Sequence, residues 1–353
     1  MAEPRRSQSR SAFALFAAFV SFVAFVSFGL AAGGCRARTD SGSARHVRIA
    51  VGGQTQLIYL PTTLARELGF YREEGIDAEL EDFAGGAKAL QALVGGSADV
   101  VSGFYDHTIQ MAADGRDFVA FATMLRFPGM VIATSPQQAA TVLRVADLRG
   151  RVVGVTSAGS SSQMLLTYLL QRHGVPADAV SVTSIGTAAT AVAAMEHGKV
   201  DAGVMADPSF TMVARRNPGV RILADLRTPD GVKQAFGTDT YPASVLYSSR
   251  EWLAGNRDIA ARLARAIVRT LGWMQSHSPD EIAARMPAAF RGDDQALYVE
   301  ALKASMPMYS PDGAMSVEGA EVVRQLLAGS LEKVRTTPID LSKTFTNEFI
   351  HGR

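Results

Sequence analysis

A helix that stops on glycine and runs into a short apolar strand opening with aspartate occurs twice in this chain, 102 positions apart. The first copy is Ala89-Leu90-Gln91-Ala92-Leu93-Val94-Gly95-Gly96-Ser97-Ala98-Asp99. The second is Ala191-Val192-Ala193-Ala194-Met195-Glu196-His197-Gly198-Lys199-Val200-Asp201. Ala89, Ala92, Gly96 and Asp99 match Ala191, Ala194, Gly198 and Asp201, and Leu93 faces Met195. Glycine ends a helix because it enters the left-handed region without strain. Strands alternating with helices imply a parallel α/β sheet, and two such units imply two similar lobes. A cleft between them would collect the carboxyl ends of the strands, where open α/β sheets bind ligands.

The same grammar extends on both sides. Val47, Ile49 and Val51 alternate with His46, Arg48 and Ala50, which predicts a strand ended by Gly52-Gly53. A helix is predicted over 61–68 with Gly69 as its stop, and a strand over 76–81 with Asp77, Glu79 and Glu81 on a wetter face. Strands follow at 99–102, 152–155, 180–185 and 200–205, and helices at 160–172 and 188–197. The last third reads as helical, with periodic apolar residues over 252–274 and 318–333. Residues 118–134 would cross from the first lobe to the second and 241–248 would return as a strand, forming a two-stranded hinge suited to closure. The lobes then comprise 46–131 with 241–353, and 132–240.

The chain has 353 residues, 47% of them apolar, enough for two domains with a large core. Its formal net charge is +1 and no basic stripe interrupts the body, which argues against nucleic acid as a partner. One cysteine excludes an intramolecular disulfide and a cysteine-based zinc site. That residue, Cys35, follows Arg5, Arg6 and Arg10, an uncharged run over 11–34, and the small residues Ala31, Ala32, Gly33 and Gly34. The order basic, apolar, small is that of a secretory signal, and the junction looks like a bacterial lipobox with Cys35 lipidated. Ala32 stands where an aliphatic residue is usual. A plain signal peptide and an uncleaved anchor therefore stay open, the run being long enough to span a bilayer. All three readings put the body of the chain outside the cytoplasm, in the periplasm or at the cell surface. Residues 36–45 read as a flexible tether.

Four stretches carry a family resemblance: Gly69-Phe70-Tyr71-Arg72-Glu73-Glu74-Gly75-Ile76-Asp77, the run from Gly85 to Leu93 continuing to Val100, Asp147-Leu148-Arg149-Gly150-Arg151-Val152-Val153-Gly154-Val155, and the helix–strand unit ending at Asp201. In that order and spacing the chain resembles the periplasmic-binding-protein family that serves nitrate, sulfonate, taurine and thiamine-precursor importers. The resemblance covers about residues 46–300. It implies a type II periplasmic-binding-protein fold, two α/β lobes on a two-stranded hinge. It also implies a monomeric receptor for a small-molecule ligand that works with ABC permease subunits and a cytoplasmic ATPase, without chemistry or a cofactor of its own.

Candidate contacts follow from loops at strand ends. Ser157, Gly159, Ser160, Ser161 and Ser162 lie between a strand and a helix, where N–H groups and hydroxyls can hold an anion; the alternative is that Ser160 and Ser161 merely cap the helix. Gln54 and Thr55 occupy the matching loop of the first lobe. After the strand at 99–102 come Gly103, Tyr105 and Asp106, with Tyr105 suited to stacking on a planar ligand and Asp106 to a cationic or N–H-bearing one. His107 reads as a cap or surface residue. Arg126 is either an anion partner or a surface ion pair, Asp207 a cleft contact or a turn residue, Thr187 a helix cap first and Tyr241 a cleft wall.

No Gly-Lys-Ser/Thr loop, no G-x-S-x-G elbow and no paired histidine spacing for a metal appear. Some relatives in this fold form a thiamine pyrimidine with a pyridoxal cofactor, but their cysteine-rich iron motif has no counterpart here. The reading is a receptor for a small organic anion or heteroaromatic of the sulfonate, taurine or thiamine-pyrimidine class, favoured over nitrate. A membrane-anchored sensor is the alternative, and behind it a pyrimidine-synthase-like enzyme on the same fold.

Overall fold

The computed structural model describes residues 44–350. The lipidation of Cys35, the signal segment 1–35 and the tether up to residue 43 lie outside the described residues. Arg45, expected in the tether, already opens the first strand.

The first sheet is built from β1 (Arg45–Val51), β2 (Ile76–Asp82), β3 (Val100–Phe104), β4 (Phe118–Thr123) and, far along the chain, β10 (Ser244–Ser249). Its order is β2-β1-β3-β10-β4, with β10 antiparallel to both neighbours. Between these strands run α1 (Leu60–Glu67), α2 (Phe70–Glu73), α3 (Gly86–Val94) and α4 (Asp106–Ala113). The second sheet holds β5 (Met130–Thr134), β6 (Val152–Val155), β7 (Ser181–Ser184), β8 (Ala202–Ala206) and β9 (Ile222–Asp225) in the order β7-β6-β8-β5-β9. Its helices are α5 (Ser161–Arg172), α6 (Ala188–Glu196), α7 (Ser209–Arg216) and α8 (Pro229–Phe236). After β10 the chain is helical: α9 (Arg250–Gly255), α10 (Arg257–Gln275), α11 (Pro279–Arg285), α12 (Ala288–Arg291), α13 (Gln295–Ser305), α14 (Val317–Ser330) and α15 (Glu332–Thr336).

Central strands are mostly apolar because helices cover both faces. β3, β5 and β8 are buried along their whole length, and so is β4 at the end of the first sheet, where the chain at Phe345 covers it. Two of the edge strands are polar: β2 carries Asp77, Glu79 and Glu81, and β7 (SVTS) is exposed throughout. Charge and polarity at an edge discourage pairing with another chain. In β5, Val131 and Ala133 enter the core under α6 and α7, whereas Ile132 joins the core shared with the first lobe. This is the two-residue period of a strand.

The repeated aspartate has one job in both lobes. Asp99 Oδ2 accepts from the Arg48 main-chain N–H in β1 (2.9 Å), and Asp201 Oδ2 from the Val152 N–H in β6 (2.8 Å). Each carboxylate ties the mouth of one parallel strand to its neighbour.

Several expectations are corrected. The helix expected over 252–274 breaks at Asn256, whose side chain donates to Trp252 O (2.9 Å) and whose backbone leaves the helical region. The one expected over 318–333 ends at Ser330 and restarts as α15. The return strand starts at Ser244 rather than at 241, and α4 occupies ground read as a loop. Residues 118–134 are two strands in different sheets, so the crossing itself is 124–129. There Tyr241 N donates to Arg126 O (2.9 Å) and Ala243 N to Leu125 O (3.0 Å), pairing the two crossings. A third segment lies beside them: Arg126 N donates to Met308 O and Ser310 N to Met124 O, both 2.8 Å. Helix α14 packs on α5 of the second lobe and α4 of the first.

Candidate functional site

Helices α3, α4 and α5 all begin at the junction of the lobes, because each follows the carboxyl end of a parallel strand. Ser160 Oγ accepts from the Ala87 N–H of α3 (3.1 Å), and Ser161 Oγ donates to Asp106 Oδ1 of α4 (2.8 Å). Leu57 N donates to Asp207 O (2.8 Å). Backbones approach closely here. A Cβ on Gly52 would stand 2.8 Å from Gly86 Cα, and one on Gly85 2.6 Å from Ser157 Oγ. The enclosed space at this junction is about 10 Å³, room for a single water, and is lined by Gly52, Gln56, Tyr59, Gly86, Ser160 and Ser162 among others, while a more open groove of about 580 Å³ lies between Ala87, Leu90 and Gln91 of the first lobe and Ala158 and Gly159 of the second. A larger solute can enter the enclosed space only if the lobes move apart. A depression of about 760 Å³ lies on the outside of the first lobe, around Arg116, Asp117, Arg250 and Trp252, and is open to solvent.

Asp106 is the electrostatic centre of the junction. It is 1% exposed, and its Oδ2 has no protein partner. Burial pushes its carboxyl above the usual range, while His107 and the Ser161 hydroxyl pull the other way. Burial and then the nearby Asp106 charge raise the hydroxyls of Tyr59 and Tyr241, and that of Tyr247 through Tyr59 as well, so all three stay phenols. His107, expected as a cap or surface residue, is fully buried. Its Nδ1 lies 3.4 Å from the Tyr247 hydroxyl and its Nε2 is unpartnered.

A group whose folded pKa is raised stabilises the fold below its unfolded value, and that contribution is lost as pH rises through the folded value. Replacing Asp106 by Asn is therefore expected to gain stability relative to the wild type as pH rises above about 4. Thermal melts of both proteins across pH 4–8 check this; a constant difference would show that Asp106 is not perturbed.

The junction gathers Ser157, Ser160, Ser161, Ser162 and Asp106. Ser157 Oγ and Ser160 Oγ are 2.6 Å apart, and Ser162 Oγ accepts from Thr156 N (3.0 Å). Thr187 reaches over from the second lobe, its Cγ2 3.0 Å from where a Gly53 Cβ would stand. Gln54 is buried beside it with Nε2 unpartnered, and its N–H is held by Asp82; Thr55 is half-buried. Gly159 is exposed, with its N–H donated to Gln163 Oε1 (2.8 Å).

Other expected residues point elsewhere. Tyr105 turns into the first lobe, its hydroxyl 2.5 Å from Thr344 Oγ1 and its ring edge-on to Phe345, so it offers no stacking face. Gly103 packs under Tyr247, where a Cβ would meet the ring at 2.9 Å. Arg126 is exposed and donates to Pro307 O (3.0 Å), neither in the cleft nor in an ion pair. Tyr241 is buried behind α5 against Phe236, ring centres 5.3 Å apart. Asp207 caps α7 through Thr211 and pairs with Arg227 at 2.8 Å. The sequence reading missed Gln56, Tyr59 and Gly86. The pairs Gly52-Gly53 and Gly85-Gly86, each following a strand, were the available signal for two loops meeting.

Residues 58–282 match the family model described as NMT1/THI5 like. The chain belongs to the NMT1/THI5-like family. A protein of Bordetella bronchiseptica RB50 of known structure is 39% identical, with a TM-score of 0.82 over 86% of this chain and 95% of that one. The alkanesulfonate-binding protein SsuA of Xanthomonas axonopodis, solved with MOPS, is 18% identical, with a TM-score of 0.68 over 86% and 98%. The riboflavin-binding protein RibY of Chloroflexus aurantiacus is 24% identical over 324 residues, 87% of each chain. The fold of this NMT1/THI5-like chain is therefore that of the periplasmic binding proteins. Among the described residues no cluster of His, Cys, Asp and Glu could hold a metal, and no helix is long and apolar enough to cross a membrane.

Proposed function

We propose that this NMT1/THI5-like chain is the extracytoplasmic solute receptor of an ABC importer. It captures a small organic anion or heteroaromatic, of the sulfonate, taurine or thiamine-pyrimidine class, between its lobes and passes it to the permease. Lipid at Cys35 would hold it at the membrane. The observation that carries the reading is the convergence of buried polar groups from both lobes on one cavity, across a pair of hydrogen-bonded crossings. Ser160, Ser161 and Tyr59 line that cavity, Asp106 Oδ2 beside it has no protein partner, and a ligand that bridges such groups would favour a form in which the lobes close around it. The crossings supply the axis along which the lobes part.

A thermal-shift screen with taurine, alkyl and aryl sulfonates, nitrate, bicarbonate and pyrimidines tests it. A ligand bound by the native state alone raises Tm with concentration, by an amount that corresponds to about 2.7 kcal/mol at a hundredfold excess over Kd. A saturable shift with one class, without turnover of the compound, is the expected outcome. No shift with any class would remove the ligand list and bring forward the membrane-anchored sensor.

A further inference from the structure

We infer that the solute recognised at this junction carries a protonated amine or a comparable N–H edge, which binds Asp106, so that solutes that are purely anionic are rejected. The inference rests on the receptor reading and narrows its ligand.

Asp106 is the first residue of α4, 1% exposed, and carries a carboxylate with two oxygens of different fate. Oδ1 accepts from Ser161 Oγ across the lobe junction, which fixes the carboxylate at the interface between the lobes. Oδ2 is buried and has no partner. Among the described residues no lysine or arginine nitrogen lies within 4 Å of Asp106, whereas the other buried carboxylate, Asp207, has its cation on the protein. A buried carboxylate oxygen without a donor is costly in a folded protein, so residues that leave one at a ligand junction point to a donor brought by the ligand. The titratable groups that sense the Asp106 charge are His107 on its own helix, Tyr59 beside α1, Tyr241 at the return crossing and Tyr247 in β10. None of them donates to Oδ2.

The opposite side of the junction has the reverse character. Ser160, Ser161 and Ser162 stand at the N-terminus of α5, whose N–H groups and dipole favour a negative or strongly accepting group. Asp106 and α5 are only one hydrogen bond apart. The complementary solute is compact, with its N–H donor a few bonds from its acceptor. A plain sulfonate or nitrate carries no N–H donor and would leave Oδ2 unpaired.

The test uses full-length protein in detergent and matched pairs of probes that differ in the donor alone: taurine against propane-1-sulfonate, and 4-amino-2-methylpyrimidine against 2,4-dimethylpyrimidine, with nitrate as an additional anion. Kd is measured by calorimetry for the wild type and for Asp106→Asn. The expected result is that an amine-bearing member binds, that its amine-free partner binds at least 100-fold more weakly, and that Asp106→Asn lowers affinity for the amine-bearing member by a similar factor. Equal binding within a pair, or binding of nitrate or propane-1-sulfonate alone, overturns the inference and leaves the receptor reading standing. No heat and no Tm shift with any probe, wild type included, counts against the receptor reading itself and takes this inference with it. The comparison within each pair needs no variant, so a folding defect in Asp106→Asn would not protect the idea.

Discussion

Replacing Arg227 by methionine should destabilise the protein by about 3–5 kcal/mol, the cost of removing one partner of a buried ion pair. Arg227 is 7% exposed and its guanidinium serves two carboxylates. Nη1 donates to Asp207 Oδ2 at 2.8 Å, while Nε and Nη2 donate to Asp225 at 2.8 and 2.5 Å. The guanidinium also lies over the Phe210 ring, 5.1 Å from its centre. Asp225 is partly exposed and can be hydrated once the cation is gone. Asp207 cannot, since its side chain is fully enclosed. It would keep Thr211 N, Thr211 Oγ1 and Ser305 Oγ as donors, three hydrogen bonds but no positive charge. The effect would appear as a lower urea midpoint with an unchanged slope. Adding Asp207→Leu to Arg227→Met should recover a large part of the loss, because an apolar pair has no charge to strand. A single-variant loss below about 1 kcal/mol, in the range of exposed pairs, would show that this pair is solvated after all.

Gly85→Ala should both destabilise the first lobe and hold the two lobes apart. Gly85 has φ 139° and ψ 161°, a region open in practice to glycine alone. The backbone strain of a side chain there is about 1–3 kcal/mol. The second effect acts between lobes, since the new Cβ would stand 2.6 Å from Ser157 Oγ and 3.2 Å from Ser160 Oγ. Small-angle scattering should report a larger radius of gyration than the wild type. The two effects separate in Gly85→Ala combined with Ser157→Gly, which should return to the compact form yet keep the lower melting temperature. If the single variant scatters like the wild type, the contact between Gly85 and Ser157 does not limit closure.

The candidate site divides by how far its residues reach. Ser160, Ser161 and Ser162 could be placed from the sequence because a strand followed by small polar residues and an apolar-periodic helix fixes where that helix begins. Asp106 was placed by the same logic after β3. Its neighbour Tyr105 was misjudged because consecutive residues at a helix start point in directions about a hundred degrees apart. Asp106 faces the second lobe, and Tyr105 turns to Thr344, 239 residues away in the chain. Arg126 and Tyr241 were located at the crossings correctly, but a crossing strand has two sides. The third segment at 308–310 covers one of them, and nothing local announces a partner so remote. Asn256 broke a helix whose apolar period runs on regardless, since a side-chain bond to Trp252 O outweighed the pattern.

What the sequence determined by itself is whatever is set by short-range periodicity and steric stops: alternating strands and helices, the 102-residue repeat with its twin aspartates, the glycine turns, and the family that these motifs mark. Such features depend on residues within a turn or two of one another, and each carries its own signal. What only the tertiary structure decided is which side chains meet across the junction. The pairing of Ser161 with Asp106, the approach of Tyr247 to His107, and the enclosure of Asp207 by Arg227 and Ser305 all join segments separated by tens to hundreds of residues. Their contacts are fixed by how two sheets and a hinge close on each other, and no local pattern encodes that geometry.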